Sequence, residues 1–376
     1  MSKTVDRIFL YGTLRYAPLL DVVAGEPVSG RSAVLRDHAM CTAEGLTFPM
    51  VRVAPGETAP GIVIEVSEDA LRRMDFYELS FGYVPTLVEV EVSGRPEAAL
   101  VYLPEPGRWE VGGLWSLDTW MATYGALTAE TAKDYMTLEG IMAPEAAGNL
   151  YTQFRSRASS RMRAKTQPRT THFGPVPSLA DLKIAETRHP YVNFFAVRED
   201  DLAFPKFAGG QSPLVSRAAF LGGDAVTVMP YDPVLDSVLI VRQFRYGAFS
   251  RGDPQPWCAE PIAGRIDPGE TPEEAARREA LEEAGLELAT LYPVARYYPS
   301  PGVLSEFLFS FVAPVDLSGF DPRVLGVENE AEDIESRVLP LDTVIEAIST
   351  GETDTGPLIL SVLWLQGNRA RFQNRH

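Results

Sequence analysis

Gly264-Arg265-Ile266-Asp267-Pro268-Gly269-Glu270-Thr271-Pro272-Glu273-Glu274-Ala275-Ala276-Arg277-Arg278-Glu279-Ala280-Leu281-Glu282-Glu283-Ala284-Gly285-Leu286 is the most informative stretch of this 376-residue chain. Thr271 offers an N-cap side chain, Pro272 suits a first helical position, and Glu273 to Ala284 consists of strong helix formers throughout. On such a helix Glu279, Glu282 and Glu283 fall at i, i+3 and i+4, on one face. Carboxylates held that closely repel one another and cost stability in water, whereas a hard divalent cation with oxygen ligands turns the same cluster into a binding site. A bare Glu-x-x-Glu-Glu is more simply a solvated acidic face. The flanking glycines and Arg278 argue against that here, because a solvated face has no use for them.

Around this helix the chain is long enough for two domains, each with its own core. A formal net charge of −17 argues against non-specific binding to nucleic acid or to an anionic membrane. Cys41 and Cys258 fall in different halves without a Cys-x-x-Cys pairing, which favours a reducing compartment and offers no zinc or redox site. With no N-terminal apolar segment and no long apolar run, a cytoplasmic protein without a membrane anchor is expected.

Apolar runs predict strands at Arg7 to Tyr11, Gly61 to Val66, Val84 to Val92 and Ala98 to Leu103, with a helix over Ser67 to Tyr77 for which Ser67 is the N-cap. Residues 1–110 therefore read as a small mixed α/β, barrel-like domain, and 111–150 as a helical appendage with helices near Leu114 to Tyr124 and Ala129 to Leu138. Residues 151–185 read as a linker, since Arg155 to Arg169 is basic with few large apolar residues. From 186 to 376 strands are expected at Asn193 to Arg198, Ser216 to Leu221, Ala225 to Met229, Ser237 to Arg242, Leu291 to Tyr298 and Glu306 to Val312. Asp232-Pro233 marks a turn, and helices fall near Leu341 to Ser349 and Pro357 to Gln366. The fold class is α/β (α+β), with a C-terminal α/β/α sandwich on a mixed sheet.

The opening stretch fits Gly-x5-Glu-x7-Arg-Glu-apolar-x-Glu-Glu-x-Gly-apolar at every fixed position, and so resembles the Nudix box. Phe194 to Val197, Gly210-Gln211-Ser212, Gly223-Asp224-Ala225-Val226, Pro230 to Val234, Gln243-Phe244-Arg245, Pro256-Trp257 and Ser300 to Glu306 extend the likeness over Tyr191 to Gln366. They resemble the ADP-ribose pyrophosphatase branch of the Nudix hydrolases. The resemblance implies hydrolysis of the diphosphate bond of ADP-ribose to AMP and ribose 5-phosphate, with Mg²⁺, or Mn²⁺ in its place, as cofactor. Glu279 and Glu283 would be the main metal ligands, Glu282 a supporting and catalytic one, and the Ala263 carbonyl would complete the shell, while Arg278 would pair with Glu270. Arg217 and Arg245 would hold the diphosphate or the terminal ribose phosphate, with Glu260 a further polar contact. In Glu328-Asn329-Glu330-Ala331-Glu332-Asp333, Glu330 takes the place of the general base and Glu332 that of an auxiliary metal contact, with a register two residues earlier, at Glu328, left open. The branch forms homodimers that swap N-terminal strands and share the adenine pocket, which would put Phe194, Phe195 and Arg217 near an interface. The GDP-mannose branch shares most of these features, so GDP-mannose is an alternative substrate.

Tyr11-Gly12-Thr13-Leu14-Arg15, Pro60 to Val63, and Met74-Asp75-Phe76-Tyr77-Glu78 followed by Tyr83 resemble the γ-glutamylcyclotransferase-like, or AIG2-like, family over residues 5–108. By that resemblance the loop Tyr11, Gly12, Thr13 and Leu14 offers backbone N–H groups to a carboxylate, and Glu78 is the acid/base. Met74 and Leu79 depart from the family pattern, which leaves a binding or packing role open. Two functions therefore compete: a metal-dependent nucleotide-sugar pyrophosphatase with an accessory domain, or a γ-glutamyl-amine cyclotransferase whose Nudix half senses nucleotide. The three intact carboxylates favour the first.

Overall fold

The computed structural model describes residues 6–167, 172–325 and 333–373. The chain divides at Lys165 into two compact units.

In the first unit β1 (Asp6–Leu10), β2 (Gly30–Thr42), β3 (Pro49–Val66), β4 (Tyr83–Val92) and β5 (Arg95–Pro104) close into a barrel in the order β1-β3-β2-β4-β5. A parallel contact of Ile8 with Leu100 joins its ends. Phe9, Ala59, Val63, Val90 and Val101 fill the interior, which removes every exposed strand edge and spares a small domain from edge pairing. The β2–β3 hairpin shifts register between Arg36 and His38, where Asp37 takes φ of 56° and its carboxylate accepts the Gly56 N–H at 2.8 Å. Helix α1 (Ala17–Ala24) follows β1, and α2 (Glu68–Leu79) follows β3, capped as expected by Ser67 Oγ on the Ala70 N–H at 3.2 Å.

Four further helices complete this unit: α3 (Leu117–Trp120), α4 (Ala126–Tyr135), α5 (Pro144–Gly148) and α6 (Tyr151–Thr166). Helix α6 corrects the expectation of a linker over 151–185. Its basic residues are used inward and along its flank: Arg161 binds Glu130 at 3.2 Å and Asp134 at 2.5 Å, and Lys165 binds Glu130 at 3.2 Å. Phe154 and Ala158, one turn apart, are buried, and the Arg157 guanidinium lies 4.9 Å over the Phe154 ring. Ion pairs to α4 and the packing of Tyr151 and Phe154 against Tyr135 hold a helix that hydrophobic patterning does not reveal. The former linker span also ends late, because β6 (Lys183–Val192) already belongs to the second unit.

There β6, β7 (Ala196–Ala203) and β8 (Val215–Leu221) form an antiparallel sheet of their own. The main sheet contains β9 (Ala225–Asp232), β10 (Ser237–Phe244), β11 (Trp257–Glu260), β12 (Ile262–Arg265), β13 (Tyr292–Tyr297), β14 (Leu308–Pro314), β15 (Arg323–Leu325) and β16 (Ile334–Pro340). Its order is β13-β14-β9-β10-β16-β15, with β11 on β10 and β12 on β9. The β9–β14 pair is parallel and the rest antiparallel, so the sheet is mixed. Every residue of β9 is buried, since helices cover both faces. Val226 and Val228 meet Ala275, Ala276 and Ala280 of α8 (Pro272–Ala284), while Met229 and Tyr231 meet Val344 of α9 (Leu341–Thr350) and Leu358 and Val362 of α10 (Gly356–Gln373). This is the expected α/β/α sandwich. Asp232 holds the turn after β9, one carboxylate oxygen accepting the Val234 and Leu235 N–H groups at 2.8 and 3.0 Å. No helix among the described residues is long and apolar enough to cross a membrane.

Candidate functional site

Helix α8 starts where the sequence places it. Thr271 Oγ1 accepts the Glu274 N–H at 3.2 Å and the Glu274 carboxylate accepts the Thr271 N–H at 2.8 Å, a reciprocal cap that fixes the angle at which the helix leaves the loop. Arg278 locks that loop down. Its Nε and Nη2 each donate to Glu270 at 2.9 Å, Nη2 reaches the Arg265 carbonyl at 2.9 Å, and Nη1 reaches Glu279 at 2.8 Å and Glu282 at 3.1 Å. The expected Arg278–Glu270 pair is present, and the guanidinium uses most of its planar donor set in one place.

The carboxylates divide between two environments. Glu283 is 2% exposed, and its carboxylate accepts the Ala263 N–H at 3.4 Å. The N–H and C=O of one strand residue leave on the same side, so the Ala263 carbonyl would share the side of that N–H. Glu279 lies on the neighbouring residue: a Cβ at Gly264 would sit 1.9 Å from its carboxyl carbon. Glycine at 264 is thus required by the acid group that occupies its side-chain space. Arg278 Nη1 is shared between Glu279 at 2.8 Å and Glu282 at 3.1 Å, and Glu282 is the more exposed of the two carboxylates. Among the described residues no three His, Cys, Asp or Glu side chains cluster to hold a metal ion. What converges on β12 is two carboxylates and a carbonyl, an all-oxygen set that fits a hard divalent cation such as Mg²⁺. Gly264→Ala is accordingly expected to melt near the temperature of the unaltered chain, since the displaced atoms end a flexible side chain, yet to need about 10- to 100-fold more Mg²⁺ for turnover. A magnesium titration of product release checks this, and an unshifted midpoint would remove Glu279 from the metal site.

Beside these acids stands the Arg245–Glu260 pair, with Nε at 2.9 Å and Nη2 at 2.5 Å from Glu260 Oε2. Glu306, a residue quoted from the sequence without a role, joins this group. Burial pushes its carboxyl up, Arg265 and Arg245 oppose that, and Asp224 and Glu260 add to it. Arg265 was also not foreseen; its guanidinium lies 4.4 Å over the Phe194 ring and 5.5 Å over Phe195. Arg217 does not join the acids: it is exposed on β8, opposite Asp200, and donates to the Ser216 carbonyl at 2.9 Å. Glu330 and Glu332, like Glu328, lie outside the described residues. The residues on either side, Leu325 and Ile334, pair across β15 and β16, strands that lie against α8.

The first unit holds a cavity of about 360 Å³. Tyr11, Gly12, Thr13, Leu14 and Glu78 line it together with Tyr77, Phe81, Tyr83 and Trp120. The 3₁₀ turn Thr13–Arg15 is bonded through the Arg15 and Tyr16 N–H groups, which leaves those of Gly12, Thr13 and Leu14 outside its own bonds. Gly12 packs so tightly that a Cβ would stand 2.8 Å from Pro49 Cγ. The Tyr11 hydroxyl is committed to the Tyr102 carbonyl at 3.0 Å, so Tyr11 contributes backbone and shape.

Burial pushes the Glu78 carboxyl up to about 8. Unfolded Glu78 releases its proton near 4.5 and folded Glu78 near 8, so the stability it contributes is complete below 4.5 and is lost as pH rises through 8. Glu78→Gln is expected to gain on the unaltered protein by about 2–4 kcal/mol between pH 4.5 and pH 8.5. Urea unfolding of both proteins at the two pH values measures it; an equal difference at both would place the carboxyl in water.

Comparison with known proteins matches both halves. A family model described as NUDIX domain matches residues 223–359, and one described as Gamma-glutamyl cyclotransferase, AIG2-like, matches 8–120. The chain is 35% identical over 198 residues to the ADP-ribose pyrophosphatase of Haemophilus influenzae, covering 52% of this chain and 91% of that protein. It is 32% identical over 194 residues to the ADP-ribose pyrophosphatase of Escherichia coli K12, covering 52% and 92%. To the GDP-mannose pyrophosphatase of an Enterobacter species it is 31% identical over 150 residues, covering 40% and 77%.

Proposed function

We propose, for a chain that belongs to the Nudix hydrolases and carries an AIG2-like domain ahead of its Nudix domain, that its nucleotide-sugar pyrophosphatase activity is the Mg²⁺-dependent hydrolysis of ADP-ribose to AMP and ribose 5-phosphate. The observation that carries this reading is the meeting of Glu279, Glu283 and the Ala263 strand beside the Arg245–Glu260 pair. Glu279, Glu283 and the Ala263 carbonyl would hold the cation, which would polarise the phosphoryl oxygens and neutralise the charge they gain. Arg278 keeps the loop and helix in register. Arg245, a planar multi-donor cation hydrogen-bonded to Glu260, is placed to exchange part of that pair for a diphosphate oxygen. Glu330 would take the proton from the attacking water. Phe194 and Phe195, 52% and 42% exposed, offer flat faces to a nucleobase. Together with the exposed Tyr191, Leu214 and Phe220 on the same small sheet, they favour a homodimer formed through the Nudix unit, and free Cys41 and Cys258 favour a cytoplasmic setting.

Incubation with ADP-ribose, then GDP-mannose, with Mg²⁺ or excess chelator, tests the assignment. AMP release that requires the cation and exceeds GMP release is expected. Faster GMP release would transfer the chain to GDP-mannose, and full turnover in chelator would overturn the metal role.

The cavity supports a second activity for the first unit, because Glu78 and the Gly12–Leu14 N–H groups share it. A γ-glutamyl conjugate placed there would cyclise: its α-amine nitrogen bonds to the γ-carbonyl carbon as the amide C–N bond breaks. Glu78, in the form ionised as pH nears 8, would take the proton from the amine and return it to the leaving amine, giving 5-oxoproline. Assay of 5-oxoproline across γ-glutamyl conjugates tests this, and none released would reduce the unit to binding or packing.

A further inference from the structure

Glu78 and Arg155 are the charged residues that line the first unit's cavity. They have different origins. Glu78 stands on α2, inside the matched span 8–120, whereas Arg155 stands on α6, beyond it. Tyr151, one helical turn before Arg155, faces the same cavity, and Trp120, Tyr124 and Thr128 continue that wall. The helices that follow the matched span therefore close the pocket as well as pack on the barrel.

Arg155 is not needed to fasten α6, since the ion pairs to α4 run from Arg161 and Lys165. Arg155 is half-buried on a wall it shares with Tyr151, Tyr124, Trp120 and Thr128, and its charge acts on Tyr151 against the upward push of burial on that phenol. An arginine partly withdrawn from water gains most from a carboxylate, which its planar donors grip with two hydrogen bonds. Glu78 cannot be that carboxylate at neutral pH if it keeps its proton to about 8.

We propose that Arg155 is the anion-recognising residue of this cavity, and that it selects γ-glutamyl conjugates whose amine portion carries its own carboxylate. The inference rests on the γ-glutamyl reading of the cavity and adds to it a second anionic group, besides the α-carboxylate that the Gly12–Leu14 N–H groups would receive. Specificity then comes from α6, a helix outside the matched domain.

The test uses the full chain and three probes: γ-glutamyl-phenylalanine, γ-glutamyl-phenethylamine, which differs by lacking the second carboxylate, and 3-phenylpropionate, which has a carboxylate and no γ-glutamyl group. Calorimetry is run on the unaltered protein, Arg155→Gln and Arg155→Lys, with melting curves to confirm folding. The unaltered protein is expected to bind the phenylalanine conjugate about 10- to 100-fold more tightly than the phenethylamine conjugate. Arg155→Gln should bind both alike, and Arg155→Lys should recover part of the preference. Equal binding of both conjugates by the unaltered protein, with 5-oxoproline released, overturns the role of Arg155 and keeps the γ-glutamyl reading. A preference that survives in Arg155→Gln overturns it also. Binding of 3-phenylpropionate alone, lost in Arg155→Gln, overturns the γ-glutamyl reading and keeps the anion site, and binding of none of the probes overturns both.

Discussion

Glu283→Gln is expected to lower ADP-ribose turnover by about 10²- to 10⁴-fold at saturating Mg²⁺, with no loss of thermal stability. The substitution keeps the shape and one acceptor oxygen but removes a full negative charge from a side chain that is 2% exposed. Its bond from the Ala263 N–H, at 3.4 Å, is long and can be remade by an amide oxygen. Folding is relieved of a buried charge, which offsets what the carboxylate gives to its neighbours, Arg245 among them. Catalysis loses much, since metal-centred charge stabilisation is worth several kcal/mol and each 1.36 kcal/mol is tenfold in rate. Rates of AMP release over a range of Mg²⁺, set beside melting curves, separate the two effects. An unchanged rate would remove Glu283 from the ligand set.

Glu330→Gln is the second large effect, about 10²- to 10⁴-fold in turnover with KM little changed, the scale for a positioned base that acts in the transition state. Its support is positional. The chain leaves β15 at Leu325 and returns to β16 at Ile334, residues that pair with each other in strands lying against the carboxylate helix. Glu328→Gln, measured in parallel, checks the register; a larger loss there would move the base two residues earlier.

What could be read from the sequence was what neighbours in sequence decide. Helix α8 is specified by Thr271, Pro272 and a run of helix formers, and the pairing of Arg278 with Glu270 follows from the loop between them. The buried strands β9, β10 and β14 announced themselves as apolar runs. Helix α6 is not legible in the sequence because its hold on the first unit depends on Glu130 and Asp134, acids of another helix, and on the packing of Tyr151 and Phe154 against Tyr135. The bulge at Asp37 and the short strands β11 and β12 were missed for a related reason: each is defined by a partner strand, and alone each is too short to show a period. In the candidate site Glu279, Glu283, Arg245 and Glu260 were legible by position. The stacking of Arg265 on Phe194, the place of Glu306 and the sharing of Arg278 between Glu279 and Glu282 needed the folded arrangement. Arg155 carried no signal beyond its charge, because the cavity it faces is assembled from the barrel and the helices that follow it.

Glu279 occupying the side-chain space of Gly264 also bears on how this protein can fail by inheritance. Any glycine codon becomes an alanine codon through one base change, and the added methyl displaces the tip of a flexible side chain rather than backbone or core. Such an allele would yield a chain that folds, escapes the proteases that clear unfolded molecules, and accumulates normally while turning over little substrate. Its defect would be invisible in protein abundance and would emerge only as a demand for more magnesium.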